Sequence, residues 1–254
     1  MDERTTAIHA CERAGELSLA AFRDGRPAGD YGDADVTTDI DRACEDRMVA
    51  EIREQFPADA VRAEERGTVG PDADREWVID PLDGTNNVGA GLPLFAHAVC
   101  LRDREGPLLS VVHEPLAGDT YVAERDAGAT VNGEPITAGT DLRLESGTVS
   151  LVPGEAAIRQ HEELLDRAES TLERACKRVL STWAPCVDWG LLARGQLEAV
   201  VTVHPDVWEQ PAGSLLAREA NASIRKDENG SATPKGVGIY AADAATRDAL
   251  VDLL

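Results

Sequence analysis

Small or apolar residues recur every three or four positions at Ile8, Cys11, Gly15, Leu19 and Phe22, which predicts a helix over residues 5–23. A loop rich in Gly, Asp and Pro follows. Ile40, Cys44, Met48, Ile52 and Phe56 then recur every four residues, predicting a second helix over 40–56 with Pro57 as its stop and Thr38 or Asp39 as its cap. The pattern next shortens to strands at 76–80, 95–101, 108–112 and 120–123, and Asn132-Gly133 marks a tight turn between two more. After about Ala138 strands and helices alternate. Strands are predicted at 148–152, 177–180 and 198–203, and helices at 155–168, 187–194, 210–220 and 244–254, which implies a layered α/β second lobe. There is no internal repeat and no low-complexity tract.

The 254 residues allow one large domain or two lobes sharing a core, and an apolar fraction of 43% is ample to fill it. The net charge is −22, from 47 Asp and Glu against 25 Lys and Arg. So acidic a surface offers no basic stripe for a phosphate backbone, and nucleic acid is not expected as a partner. No membrane contact is expected either, because the longest weakly polar stretch, 88–101, is interrupted by Gly89, Gly91, Pro93 and His97. The start, Met1-Asp2-Glu3-Arg4, has no apolar run behind basic residues, so the cytoplasm is the expected location. Cys11, Cys44, Cys100, Cys176 and Cys186 are irregularly spaced and read as reduced, mostly buried thiols. All but three of the basic residues are arginine, and with so many acids this suggests a halophilic surface built for concentrated salt.

The densest chemical signal is Trp77-Val78-Ile79-Asp80-Pro81-Leu82-Asp83-Gly84-Thr85, a buried-type strand that closes on two carboxylates and a glycine turn. Like charges a few Å apart raise one another's pKa unless a cation sits between them, so this is a candidate site for a hard metal with oxygen ligands. A turn capped by Asp83, with Asp80 solvated, explains the same residues without a metal. Ala63-Glu64-Glu65 ends another predicted strand just upstream, and a solvated surface pair is its ordinary reading. Thr38-x-x-Asp41 opens the second helix as a cap would. Trp208-Glu209-Gln210-Pro211-Ala212-Gly213 opens a helix, where the dipole favours an acid in any case. His9, His97, His113, His161 and His204 do not cluster along the sequence and read as structural or surface groups.

In order and spacing these elements resemble the inositol monophosphatase superfamily of Mg²⁺-dependent sugar and inositol phosphatases, which reads T-x-x-D, G-E-E, D-P-[IL]-D-G-[ST] and W-D-x-x-A-G. Val112-His113-Glu114-Pro115, Ala127-Gly128-Ala129 and Asn132-Gly133-Glu134-Pro135-Ile136 are similar to the family's intermediate segments. The resemblance implies an α/β fold of mixed α+β character, a layered αβαβα sandwich in two lobes. Residues 1–137 would carry most metal ligands and 138–254 would complete the site. It further implies that Glu64, Asp80, Asp83 and the carbonyl of Leu82 hold Mg²⁺, with Glu65 beside them as a catalytic acid and Glu209 on the second metal. Two or three Mg²⁺ per site are expected. Asp41 and Thr85 would orient and deprotonate the attacking water, Gly84 and Thr85 would offer N–H groups to the phosphate, and Asp188 and Thr202 would meet the rest of the substrate. No covalent phosphoenzyme is implied, and a homodimer is expected.

Three departures bear on substrate. Glu209 stands where the family has Asp. Trp183-Ala184-Pro185-Cys186 lacks the family's small Gly-Ser or Gly-Thr pair. Thr202 stands where inositol-selective members tend to carry an acid. Inositol specificity is thus not supported, and the activity the resemblance implies is hydrolysis of a small sugar or polyol phosphate, inositol 1-phosphate or fructose 1,6-bisphosphate. A 3′(2′),5′-bisphosphate nucleotidase and a catalytically weak relative that binds phosphate ligands or metal are the rivals.

Overall fold

The computed structural model describes residues 1–25, 28–31, 36–226 and 236–254. Alternation along the strands decides the layering. In β5 (Glu76–Asp83) and β6 (Ala96–Asp103), Trp77, Ile79, Val99 and Leu101 join one apolar cluster while Val78, Ala98 and Cys100 join another. A sheet buried on both faces must be covered by helices on both.

These strands belong to an eight-stranded sheet with β3 (Ala60–Ala63), β4 (Gly67–Val69), β7 (Gly106–Glu114), β8 (Asp119–Glu124), β9 (Gly128–Val131) and β10 (Glu134–Ile136), in the order β10-β9-β8-β7-β6-β5-β3-β4. A separate two-stranded ribbon pairs β1 (Gly29–Tyr31) with β2 (Val36–Thr38). The outer face is covered by α1 (Glu3–Asp24) and α2 (Asp39–Gln55), whose Ala7, Cys11, Cys44, Met48 and Ile52 pack on Trp77, Ile79 and Val111.

The inner face packs on α6 (Pro185–Ala193) and α7 (Gln210–Glu219), where Trp189, Leu192, Leu215 and Leu216 meet Val78, Cys100 and Tyr121. On the far side of those helices lies a five-stranded sheet of β11 (Thr148–Pro153), β12 (Arg178–Leu180), β13 (Ala199–Val203), β14 (Ser223–Ile224) and β15 (Val237–Ala241), in the order β12-β11-β13-β15-β14. Its outer face carries α4 (Glu155–Gln160), α5 (Glu162–Ala175) and α8 (Ala244–Leu253), through Ala157, Ala168, Leu172 and Leu250. The layers therefore run helix, sheet, helix, sheet, helix, an αβαβα sandwich, with the middle helices shared by both sheets.

Four features differ from the sequence expectation. The helix predicted over 155–168 is two helices broken at His161, and α5 runs on to Ala175 because Leu164, Ala168 and Leu172 repeat at helical spacing. A short helix, α3 (Thr85–Ala90), forms from the weak helix formers Thr-Asn-Asn-Val-Gly-Ala between glycines at both ends. Strand β15 pairs antiparallel with β13 in the middle of the second sheet, at a position where no strand was expected. The strand expected over 76–80 continues to Asp83 through a break in register. The Asn132-Gly133 turn closes the β9–β10 hairpin as expected. The five cysteines are free and buried. Among the described residues no helix is long and apolar enough to cross a membrane.

Candidate active site

The site is built on the irregular end of β5. Asp80 pairs with Ala98 and Asp83 with Ala96, so Pro81 and Leu82 stand against His97 alone. Such a bulge bends the strand and re-aims its side chains, and here it brings Asp80 and Asp83 to one cavity where strict alternation would send them to opposite faces. His97 holds the bulge. It is wholly buried, with Nδ1 2.5 Å from the Pro81 carbonyl and Nε2 2.8 Å from the Ser18 hydroxyl on α1. A carbonyl only accepts, so Nδ1 carries the hydrogen and Nε2 accepts from Ser18. Burial drives the His97 pKa down to about 3, which keeps the ring neutral.

Beyond Asp83 the chain turns through Gly84, with φ +92°, where a Cβ would come within 2.7 Å of the Leu94 carbonyl. Only glycine fits there. Thr85 then opens α3, and its hydroxyl donates to Asp41 Oδ1 at 2.6 Å, with the Leu82 carbonyl a second acceptor at 2.9 Å. The other Asp41 oxygen accepts from the backbone N–H and the hydroxyl of Thr38, at 2.8 and 2.5 Å, in a capping box at the start of α2. The cap and the Thr85–Asp41 pair are thus one network. Burial raises the Asp41 pKa, opposed by the hydrogen bonds from Thr38 and Thr85.

Two further elements close the site. The N–H of Cys186, in the first turn of α6, donates to Asp83 Oδ2 at 2.8 Å. Asp80, Asp83 and Cys186 present potential ligand atoms within 4.8 Å of one another, all buried. Glu209 precedes α7 and is also buried. Trp208 beside it lies under the Arg62 guanidinium, 5.2 Å from the ring centre, which couples this loop to β3 just ahead of Glu64. Gly213 completes the motif for a packing reason, since a Cβ there would fall 2.2 Å from the Trp189 ring.

Burial, then Asp80 and Glu209, push the Asp83 pKa well above the usual carboxylate range. Burial and then Asp80 do the same to Glu209. Three buried acids that raise one another are costly without a cation, and among the described residues Arg159 is the one basic residue on the cavity wall. The donor set therefore fits a divalent cation of the hard, oxygen-seeking kind. The cavity, of about 290 Å³, is lined by Glu64, Asp80, Leu82, Asp83, Gly84, Thr85, Asp188 and Glu209 among others. Asp188 is held by the Thr182 hydroxyl at 2.7 Å, and burial pushes its pKa up to about 7.

Two expected residues lie elsewhere. Glu65 is exposed and does not line the cavity; its N–H donates to Glu45 Oε2 at 2.7 Å. Thr202 is fully buried in β13, paired with Val152 on one side and Gly238 on the other, and is likewise absent from the cavity wall. Strand alternation sends it with Val200 towards the middle helices. Sequence reading missed His97, which it treated as a structural group unrelated to the acids, because its partners Pro81 and Ser18 are met only through folding. It also missed Cys186 beside the acids. The one signal for that wall was the replacement of small residues at Trp183-Ala184-Pro185-Cys186.

The chain matches the sequence profile of the inositol monophosphatase family over residues 1–252. It is 30% identical over 223 residues to Nus factor SuhB of Salmonella typhimurium, spanning 87% of this chain and 83% of that protein. Among solved structures it is similar to an IMPase of Thermotoga maritima, with a TM-score of 0.85 and 26% identity over 100% of this chain and 96% of the other. An inositol monophosphatase-fructose 1,6 bisphosphatase shares the fold, with a TM-score of 0.77 and 24% identity over 100% of both chains.

Proposed function

The chain belongs to the inositol monophosphatase family, and from that premise we propose that it is a Mg²⁺-dependent phosphomonoesterase acting on a small sugar or polyol phosphate. Inositol 1-phosphate and fructose 1,6-bisphosphate are the first candidates. The observation that carries this reading is the convergence of buried Asp80, Asp83 and Glu209 on one cavity with the Thr85–Asp41 pair.

In this reading Glu64, Asp80, Asp83, Glu209 and the carbonyl of Leu82 hold two or three Mg²⁺. When bound, the metal supplies positive charge to the phosphate and to the charge that develops on its oxygens during displacement. The protein does the rest. Thr85 gives its hydroxyl hydrogen to Asp41, so its oxygen lone pairs can face a water that attacks phosphorus as the ester P–O bond breaks; the water's proton passes by way of Thr85 to Asp41, and the leaving alkoxide takes a proton from solvent. The N–H groups of Gly84 and Thr85, at the start of α3, suit phosphate oxygens. Asp188, poised near neutrality, meets a hydroxyl of the substrate. Glu209, one methylene longer than the family's Asp, would hold the second metal. A cytoplasmic homodimer completes the proposal.

One observation favours a second reading. Curated relatives at about this identity carry the name Nus factor, which is not the name of a phosphatase, so a relative that binds phosphate ligands without turning them over is the rival. A bisphosphate nucleotidase is the rival within the enzymes, and adenosine 3′,5′-bisphosphate discriminates it. The test is Asp83→Asn: Mg²⁺-dependent phosphate release should fall below detection, and full activity in that variant would refute the metal assignment.

A further inference from the structure

Five residues other than glycine have positive φ among those described: Asp126, Asn132, Trp183, His204 and Asn221. Asp, Asn and His tolerate that region; a tryptophan at φ +56° is a strained exception. Trp183 is also 53% exposed, whereas Trp77 and Trp189 are wholly buried. It fills no core and sits in no relaxed turn, yet it lines the cavity that holds the acids.

Strain of this kind persists where the surroundings over-determine the backbone, and such places are commonly ligand clamps. Both neighbours of Trp183 are tied down. The Thr182 carbonyl accepts from Asn87 Nδ2 at 2.8 Å, and its hydroxyl donates to Asp188 at 2.7 Å while accepting the Ala184 N–H at 3.2 Å. Pro185 then enters α6, whose Cys186 N–H reaches Asp83. The segment that anchors the metal-side acid is the one that presents the indole. Ile158, 40% exposed, lines the same cavity with Pro153 and Pro185. Beside the acids the wall thus offers an apolar patch of Pro153, Ile158, Trp183 and Pro185, next to the charged Glu155 and Arg159.

We propose that Trp183 is the specificity-determining residue of this site: its indole face stacks on the leaving alcohol, and the substrate is a phosphate monoester of a ring-bearing alcohol with a flat apolar face. This rests on the phosphatase reading above. An aromatic base and the C–H face of a polyol ring share that chemistry, while an open-chain alcohol lacks it.

The experiment is steady-state kinetics of the wild type, Trp183→Gly and Trp183→Phe on inositol 1-phosphate, adenosine 3′,5′-bisphosphate and glycerol 2-phosphate. Trp183→Gly should raise KM about tenfold for at least one ring ester, and by a much smaller factor for glycerol 2-phosphate. Trp183→Phe should retain most of the preference, and the ring ester that loses most tells polyol from base. Glycine relaxes at positive φ, so Trp183→Gly should also melt higher than the wild type. Equal KM changes for all three esters, or none, would overturn the proposal. A second readout does not need turnover: with Ca²⁺ in place of Mg²⁺, inositol 1-phosphate or adenosine 3′,5′-bisphosphate should change the indole fluorescence of the wild type and not that of Trp183→Phe. A fluorescence change without phosphate release from any ester would sink the phosphatase reading, and with it the leaving alcohol, while leaving Trp183 as a residue that stacks on the ring. Release with selectivity unchanged in Trp183→Gly would do the reverse.

Discussion

The Nδ1–H of His97 donates to the carbonyl of Pro81 at 2.5 Å, across the bulge that separates Asp80 from Asp83. That bond turns one bulge carbonyl inward, away from the cavity that the next residue, Leu82, helps to line. A neutral, buried histidine thereby helps to set the spacing of both acids.

His97→Leu would leave the Pro81 carbonyl and the Ser18 hydroxyl buried without this partner, at a cost of about 2–4 kcal/mol. Divalent-metal affinity should fall with it. His97→Asn keeps a donor near Nδ1 and should recover part of both. Urea unfolding together with calorimetric titration of Mn²⁺ reads the two effects, and unchanged metal affinity in His97→Leu would show that the bulge stands without it.

Glu209→Asp shortens the ligand to the length usual in the family. If Glu209 reaches the second metal from a displaced backbone, the substitution should keep or raise Mg²⁺-dependent turnover. A collapse of activity in a folded variant would mean that the longer side chain has a geometry of its own, fixed by its place ahead of Gln210-Pro211.

Much of this was legible in the chain. The amphipathic spacing of Ile8 to Phe22 and of Ile40 to Ile52 gave the outer helices, and the apolar run into Asp80-Pro81-Leu82-Asp83 marked the strand that carries the site. Elements without a periodic signature were missed. The α3 helix is made of weak helix formers, and left-handed glycines flank it at Gly84 and Gly91. β15 is a short apolar run that reads as strand only once β13 lies beside it. Glu65 and Thr202 were placed at the site by analogy of position, and neither lines the cavity: one follows β3 into solvent, and the other faces the middle helices. His97 could not be found, since nothing local connects it to a bulge sixteen residues away.

A pH dependence follows from two buried acids. Burial pushes Glu114 up to about 7, against the nearby Tyr121 hydroxyl and the charge of Arg194, and it pushes Asp188 to about 7. Both folded values lie above the ordinary 4.5 and 3.8, so the folded state binds more protons than the unfolded chain. Stability should therefore fall as pH rises from about 4 to about 7, and level off above. Thermal melts of metal-free protein in molar KCl, which screens the general surface charge, should show this slope, and Glu114→Gln should reduce it. A melting temperature that rises across that window would contradict the assignment.

The net charge of −22 should make the fold salt-seeking. Molar KCl shrinks the Debye length to about 3 Å and removes most surface self-repulsion. The melting temperature should climb along a KCl series, and a constant midpoint would show that the acidic surface has no such role.

The central claim is that the buried acids around the β5 bulge form a metal centre that hydrolyses a phosphate monoester. Its most direct test is inorganic phosphate release by the purified protein in molar KCl, with Mg²⁺ and with a chelator, from inositol 1-phosphate, fructose 1,6-bisphosphate and adenosine 3′,5′-bisphosphate. The account predicts release from at least one of them that requires Mg²⁺ and stops when the metal is chelated. Release at the same rate without metal, or none from any of the three, would contradict it.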